Sequence, residues 1–269
     1  MSNINWFPGH MARSLREIND LQHIDATIQV IDARAIITSA NNNILEKNNK
    51  PFLTIALKND LADVEKNTST NIIFSSIKEK NIKKIIINKL QDIFSEKILK
   101  LKKKGIVKPQ FYILVIGMPN VGKSSLISVL SNTKLVSENR PGVTRKNQLV
   151  KLNDMFYIYD TPGIMTKKIN TNEEGYKLCL LNIIKKNIVP IEEITNYAFN
   201  FFMKNYTNVF LKMFENDKPF KSFDDFLSFI CERFKFIKEK NKPDFKRAHE
   251  FLFNKFIGNT MFKVNYDKK

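Results

Sequence analysis

Across the first 165 residues, short apolar runs alternate with stretches whose hydrophobic positions recur every three or four residues. Ala26 to Ile31, Pro51 to Leu57, Asn71 to Phe74 and Phe111 to Ile116 are short, continuous and rich in β-branched or aromatic side chains, the pattern of buried strands. Lys146 to Lys151 and Met155 to Tyr159 predict two more, joined by the turn pair Asn153-Asp154. Met11 to Gln22, Leu61 to Lys66, Lys80 to Leu101 and Ser124 to Leu130 predict helices between them. Alternating strands and helices imply an α/β fold, with a mostly parallel sheet covered on both faces.

From about Lys168 the pattern becomes helical only. Phe223, Phe226, Leu227, Ile230, Phe234 and Ile237 follow the rhythm of one buried helical face. Pro243 marks the start of a further helix that turns Phe245, Ala248, Leu252 and Phe256 inward, and Gly258 ends it. Aromatic stripes of this kind read as core. The expected organisation is an α/β domain over residues 1–167 followed by an all-helical domain over residues 168–269.

Composition changes this picture little. Of 269 residues, 43% are hydrophobic and 26% charged, an ordinary globular balance. No apolar run approaches the roughly 18 residues of a membrane span, so none is expected. Cys179 and Cys231 stand far apart without metal-ligand rhythm, which excludes a disulfide framework and a zinc ribbon. Residues 1–11 lack a basic leader and an apolar core, and the cytosol is the expected compartment.

Charge adds more. Forty-four Lys+Arg against 27 Asp+Glu give +17, a field that favours nucleic acid or an anionic membrane surface. The chain is also heavy in Lys, Asn, Ile and Phe, a bias that an A+T-rich genome produces without selection for binding. Six lysines crowd between Lys97 and Lys108, punctuated by Gly105 and Pro109. This connector reads equally as a solvated helix end or an RNA contact.

The sharpest chemical signal is Gly117-Met118-Pro119-Asn120-Val121-Gly122-Lys123-Ser124, a full match to G-x-x-x-x-G-K-[ST] between a buried strand and a helix. The glycines let the backbone curl so that several N–H groups meet one phosphate chain, and the helix N-terminus adds positive potential. Asn120, Val121, Gly122, Lys123, Ser124 and Ser125 are the expected phosphate-binding residues, with Lys123 bridging the outer phosphates and Ser124 on Mg²⁺. Downstream, Asp160-Thr161-Pro162-Gly163 ends a strand, placing Asp160 for Mg²⁺ and the Gly163 N–H for a γ-phosphate. Between them Pro141-Gly142-Val143-Thr144 offers Thr144 as a switch residue that closes onto Mg²⁺ when the γ-phosphate is present.

A guanine-reading motif is expected after these elements but stands before them. Leu57-Lys58-Asn59-Asp60 follows a buried strand, so that Asp60 can accept from the guanine N1–H and amine while Lys58 lies along the base. Phe74-Ser75-Ser76 fits the loop that offers a backbone N–H to guanine O6, which makes Ser75 and Ser76 candidates. Base-reading loops that precede phosphate-binding loops mark a circularly permuted GTPase. With Asn5-Trp6-Phe7-Pro8-Gly9-His10-Met11 and Asp32-Ala33-Arg34, the chain closely resembles the ribosome-biogenesis GTPase A (RbgA/YlqF) family from Trp6 to about Gly163. The likeness is looser in the tail, at Asp244-Phe245-Lys246-Arg247-Ala248 and Phe256-Ile257-Gly258.

The resemblance implies a permuted P-loop GTPase domain, a helical RNA-binding domain, and a cytoplasmic monomer that hydrolyses GTP during late assembly of the large ribosomal subunit. GTP or GDP, the large subunit and its rRNA are the implied partners, with Mg²⁺ as cofactor. Asn120 resembles the residue that holds K⁺ in potassium-activated relatives. His10 corresponds to a histidine that helps place the attacking water; on its own, a histidine on a Pro-Gly turn reads as structural or exposed. His23 and His249 stand in no motif and are expected at the surface. Arg13 and Arg16 read as a solvated helix face or an RNA contact.

Two positions depart from the family. Leu57 replaces an Asn, which removes a polar contact near the guanine ring. Such a loss typically costs about 1–3 kcal/mol when its partner stays buried and unpaired. Asp60 preserves guanine specificity and weaker binding is expected, unless Asn59 substitutes through a shifted loop. Ile164 stands where Ras-like enzymes place a water-orienting Gln, so intrinsic hydrolysis should be slow and raised by the ribosome. The alternative is a nucleotide-binding RNA assembly scaffold with little turnover. An ATPase is favoured by Leu57 alone and opposed by Asp60.

Overall fold

The computed structural model describes residues 23–42, 45, 50–64, 72–131, 148–163, 169–258 and 262–268. The chain divides into two compact units, one of them Phe7–Lys168 and the other containing Ile169–Lys269. The expected helix over Met11 to Gln22 lies outside the described residues.

In the first unit the apolar runs form one six-stranded sheet. The strands are β1 (Ala26–Asp32), β2 (Phe52–Leu57), β3 (Ile72–Phe74), β4 (Phe111–Gly117), β5 (Gln148–Lys151) and β6 (Phe156–Asp160). Their order is β3-β2-β1-β4-β6-β5, and every pairing is parallel except β5 with β6. All seven residues of β1 are buried, which explains its continuous rather than alternating apolar pattern. The turn before β6 is set by Asn153, whose Oδ1 accepts from the N–H groups of Met155 at 2.9 Å and Phe156 at 2.7 Å.

Two helices complete the described part of this unit, α1 (Ile82–Lys103) and α2 (Lys123–Ser131). Ile82, Ile86, Leu90 and Phe94 form the buried face of α1, and Phe94 stacks on Phe111 of β4 at 4.3 Å between ring centroids. The opposite side of β4, at Leu114 and Ile116, packs with Ile24, Leu45 and Tyr159. The lysine-rich segment thus begins inside α1 and not as a connector, and Lys100, Lys102 and Lys103 in its last turn complement the helix dipole.

Leu61 to Lys66 does not begin as the expected helix. Asn59–Leu61 makes a single 3₁₀ turn and Ala62 is already extended, at φ −99° and ψ 137°. Tertiary packing overrides propensity here, because Ala62 is held in a buried cluster with Ile31, Ala33 and Ala56. Residues 65–66 lie outside the described residues.

The second unit contains α3 (Asn172–Leu180), α4 (Ile191–Asn205), α5 (Thr207–Met213), α6 (Phe223–Arg233) and α7 (Phe245–Phe256). Thr171, Ser222 and Asp244 cap α3, α6 and α7 by accepting from backbone N–H groups three residues on. Its core is aromatic. Phe226 lies 5.1 Å from Phe199 and 5.4 Å from Phe210, and Phe202 lies 5.3 Å from Phe256, between centroids.

Three expectations need correction in this unit. First, α6 stops at Arg233, so Phe234 and Ile237 leave the stripe and are 39% and 50% exposed. Lys235 adopts φ 53°, and the N–H groups of Lys235 and Phe236 bond back to Glu232 and Cys231. This is a Schellman stop made without glycine. Second, Phe245 opens α7 but is 44% exposed, whereas Ala248, Leu252 and Phe256 are buried as expected. Third, His249 is buried rather than at the surface, with its Nδ1 2.7 Å from the Thr195 hydroxyl. Burial pulls its pKa below the usual histidine value, and the Glu192 charge opposes that shift. His23 is exposed.

Candidate nucleotide site

Parallel strands send their following loops to one sheet edge. Register shows this directly, since Asp32 lies opposite Leu57, Ala56 opposite Phe74, Val30 opposite Gly117 and Val115 opposite Asp160. The loops after β1, β2, β3, β4 and β6 therefore leave the sheet side by side. They carry the Asp32-Ala33-Arg34 motif, Lys58 to Asp60, Ser75-Ser76, the P-loop and Asp160 to Gly163.

The glycines of the phosphate side have physical reasons. A Cβ on Gly117 would come within 2.6 Å of the Val30 carbonyl oxygen, and one on Gly163 within 2.9 Å of Pro119 Cα. Gly163 thus lies directly against the P-loop. Gly122 has φ 105°, and Asn120 takes the left-handed φ of 59°. Val121 is buried, while Ser124 and Ser125 are half-buried in the first turn of α2.

Lys123 is buried, and its Nζ donates to the Asp160 carboxylate and to the Thr161 carbonyl. Burial lowers its pKa, opposed by the Asp160 charge. The Thr161 hydroxyl donates to the Val115 carbonyl at 2.7 Å, which fixes the Asp160 to Gly163 segment onto β4.

Base-side geometry is equally definite. Lys58 Nζ donates to Asp32 Oδ2 at 2.8 Å and to the Asn120 carbonyl at 2.8 Å, which joins the base-reading loop to the P-loop. Asp60 pairs with Lys78 at 2.7 Å. Partial burial would raise the Asp60 pKa, but Lys78 and a Ser76 hydrogen bond hold it below the usual carboxylate value. The Ser75 N–H donates to Ala56 at 3.0 Å and its carbonyl accepts from Asn59 at 3.2 Å. Ser75 is therefore engaged within the scaffold, leaving Ser76 as the candidate donor to guanine O6. The Ser75 hydroxyl donates to Glu79 at 2.9 Å.

Leu57 is buried beneath the P-loop, where a Cβ on Gly122 would meet its Cδ1 at 3.0 Å. The residue that departs from the family pattern fills space against the loop instead of bonding to it. Thr144, His10, Ile164, Arg13 and Arg16 lie outside the described residues. Asp32 and Arg34 carry no role that the sequence alone assigns, although both are fully buried beside Lys58. An acid and a base two residues apart at the end of an apolar strand were the available signal.

The oxygen donors fit Mg²⁺. Ser124 supplies a hydroxyl and Asp160 a carboxylate, both hard ligands. Among the described residues no group of three or more His, Cys, Asp or Glu could hold an ion by itself. Among the described residues no helix is long and apolar enough to cross a membrane.

Comparison with known proteins agrees with this geometry. Residues 112–213 match the family model described as 50S ribosome-binding GTPase. A Mycoplasma genitalium protein named "Probable ribosome biogenesis GTPase A" is 38% identical over 99% of this chain and 97% of its own. The Bacillus pumilus ribosome biogenesis GTPase A is 32% identical over 79% of each chain. Among solved structures, GDP-bound YlqF from T. maritima aligns with a TM-score of 0.65 over 95% of this chain and 99% of that one. At 21% identity it shows the shared fold, a circularly permuted GTPase.

Proposed function

Because the chain belongs to the ribosome biogenesis GTPase A family, we propose that it acts on the large ribosomal subunit precursor and promotes its late assembly, switching affinity with its nucleotide state. It is a GTP hydrolase with a role in ribosome assembly, so the scaffold and ATPase readings give way to the enzyme. The observation that carries the reading is the convergence of five loops on one sheet edge, with Lys58 bonded to the P-loop carbonyl of Asn120.

In this reading Asp60 and Ser76 select guanine, while the N–H groups from Asn120 to Ser125 surround the phosphates. Lys123 stabilises charge on the outer phosphates. Ser124, Asp160 and Thr144 hold Mg²⁺, which when bound supplies further stabilisation of phosphate charge. The Gly163 N–H meets the γ-phosphate, Asn120 accommodates K⁺, and His10 helps place water for in-line attack. The protein acts as a cytoplasmic monomer, with a GTPase domain over residues 1–167 followed in sequence by an rRNA-binding helical domain over residues 168–269.

Charge adds an RNA-facing element to the first unit. Eleven lysines against three acids lie between Lys78 and Lys108, mostly along α1. The test is GTP turnover with purified large-subunit precursors. The reading requires preferential binding of the GTP form and faster hydrolysis; precursors that do neither contradict it.

A further inference from the structure

We propose that Asp32 is a positioning residue for the nucleotide: its carboxylate holds the Lys58 ammonium against the Asn120 carbonyl and so joins the base-reading loop and the P-loop into one unit. The proposal rests on the assignment of Lys58 and the P-loop to the nucleotide site.

Asp32 ends β1, in register with Leu57, the residue before Lys58. Its side chain is wholly buried and already has a cationic partner in Arg34, whose Nε donates to Oδ1 at 3.0 Å and Nη2 to Oδ2 at 2.8 Å. The Arg34 backbone N–H adds a third bond to Oδ1 at 3.0 Å. Arg34 alone therefore balances the carboxylate, and a second cation is not needed for neutrality. Lys58 differs from Arg34 in what else it touches, because the same ammonium donates to Oδ2 and to the P-loop carbonyl, each at 2.8 Å.

The joined segments are the ones that need holding. Lys58 has φ 63° and Asn120 φ 59°, a left-handed backbone that is uncommon for a lysine and that asparagine tolerates better than most non-glycine residues. The nearby Leu57–Gly122 contact is apolar and non-directional, whereas an ammonium between a carboxylate and a carbonyl is directional. Arg34 fixes the Asp32 carboxylate, whereas Ser39 anchors only the main chain, its Oγ accepting from the Asp32 N–H at 2.9 Å and sitting 2.7 Å from the Ala35 carbonyl. Burial would raise the Asp32 pKa, but Lys58 and Arg34 hold it well below the carboxylate range, so the anion persists.

The test is a double-mutant cycle on the full chain, reading affinity for a fluorescent GDP analogue. Asp32→Asn and Lys58→Met should each weaken binding about tenfold or more, and the double variant should bind within about twofold of Lys58→Met. Ser39→Ala, which disturbs the same turn without touching the carboxylate, should lower the melting temperature yet bind within about threefold of wild type. Where Asp32→Asn does not fold, Asp32→Glu takes its place, and its effect should likewise vanish in the Lys58→Met background. Effects of Asp32 that multiply with those of Lys58→Met, or a Ser39→Ala loss as large as that of Asp32→Asn, overturn the proposal and leave the nucleotide-site assignment standing. Unchanged binding by Lys58→Met overturns that assignment, and the proposal with it.

Discussion

The two units solve opposite problems with opposite materials. In the first, parallel strands bring charged side chains from segments far apart in sequence to one edge, where Asp32, Lys58, Lys123 and Asp160 are buried or half-buried in pairs. In the second, packing is largely aromatic, and Thr195 with His249 is a buried polar contact inside it. The charge excess is uneven as well, with 26 Lys+Arg against 14 Asp+Glu up to Lys168 and 18 against 13 after it. The α/β unit thus concentrates both the phosphate chemistry and most of the positive field. A phenylalanine core gives the helical unit shape without committing it to chemistry.

Substitutions can break this contrast, beginning with the largest effect. Phe226→Ala empties the centre of the helical core beside Phe199, Phe210 and Phe214. It should cost about 3–5 kcal/mol by denaturant titration while the α/β unit keeps its nucleotide contacts. Lys123→Ala does the reverse. GTP turnover and affinity should fall by about a hundredfold or more, roughly 2.7 kcal/mol, and a protein that still hydrolyses GTP normally would remove the P-loop lysine from the account. Asp60→Ala should weaken GDP binding by about 1–3 kcal/mol and erase discrimination against ADP, as competition titration would show.

His249 gives a smaller, pH-dependent effect. Its folded-state pKa lies below the unfolded value, so its neutral form stabilises the fold above about pH 6.5. That contribution is lost as pH falls through the lowered value. The melting temperature should drop between pH 7 and pH 5, and His249→Gln should flatten the drop. Ile237→Ser, at a half-exposed position outside the aromatic core, should change stability by about 0.5 kcal/mol or less.

Contiguous signals were legible in the chain. Gly117 to Ser124 declares its own geometry, and buried runs placed β1, β2, β4 and β6 to within a residue or two. The order of motifs was enough to reveal the permutation. What could not be read depends on distant partners. Lys58 meets Asn120 across 62 residues, and Thr195 meets His249 across 54. The end of α6 was hidden because Lys235 takes the conformation that glycine normally signals. Leu61 to Lys66 does not start as the helix its pattern suggests, because a buried cluster of Ile31, Ala33 and Ala56 around Ala62, rather than local propensity, sets the backbone there.

The central claim is that the permuted loops read guanine although Leu57 replaces the polar residue beside the base. Titration of labelled GTP and ATP analogues against the purified protein, in potassium buffer with Mg²⁺, tests it most directly. A preference for GTP of about tenfold or more, roughly 1.4 kcal/mol, is the predicted result, with Asp60 as its source. Equal affinity for the two nucleotides would contradict it.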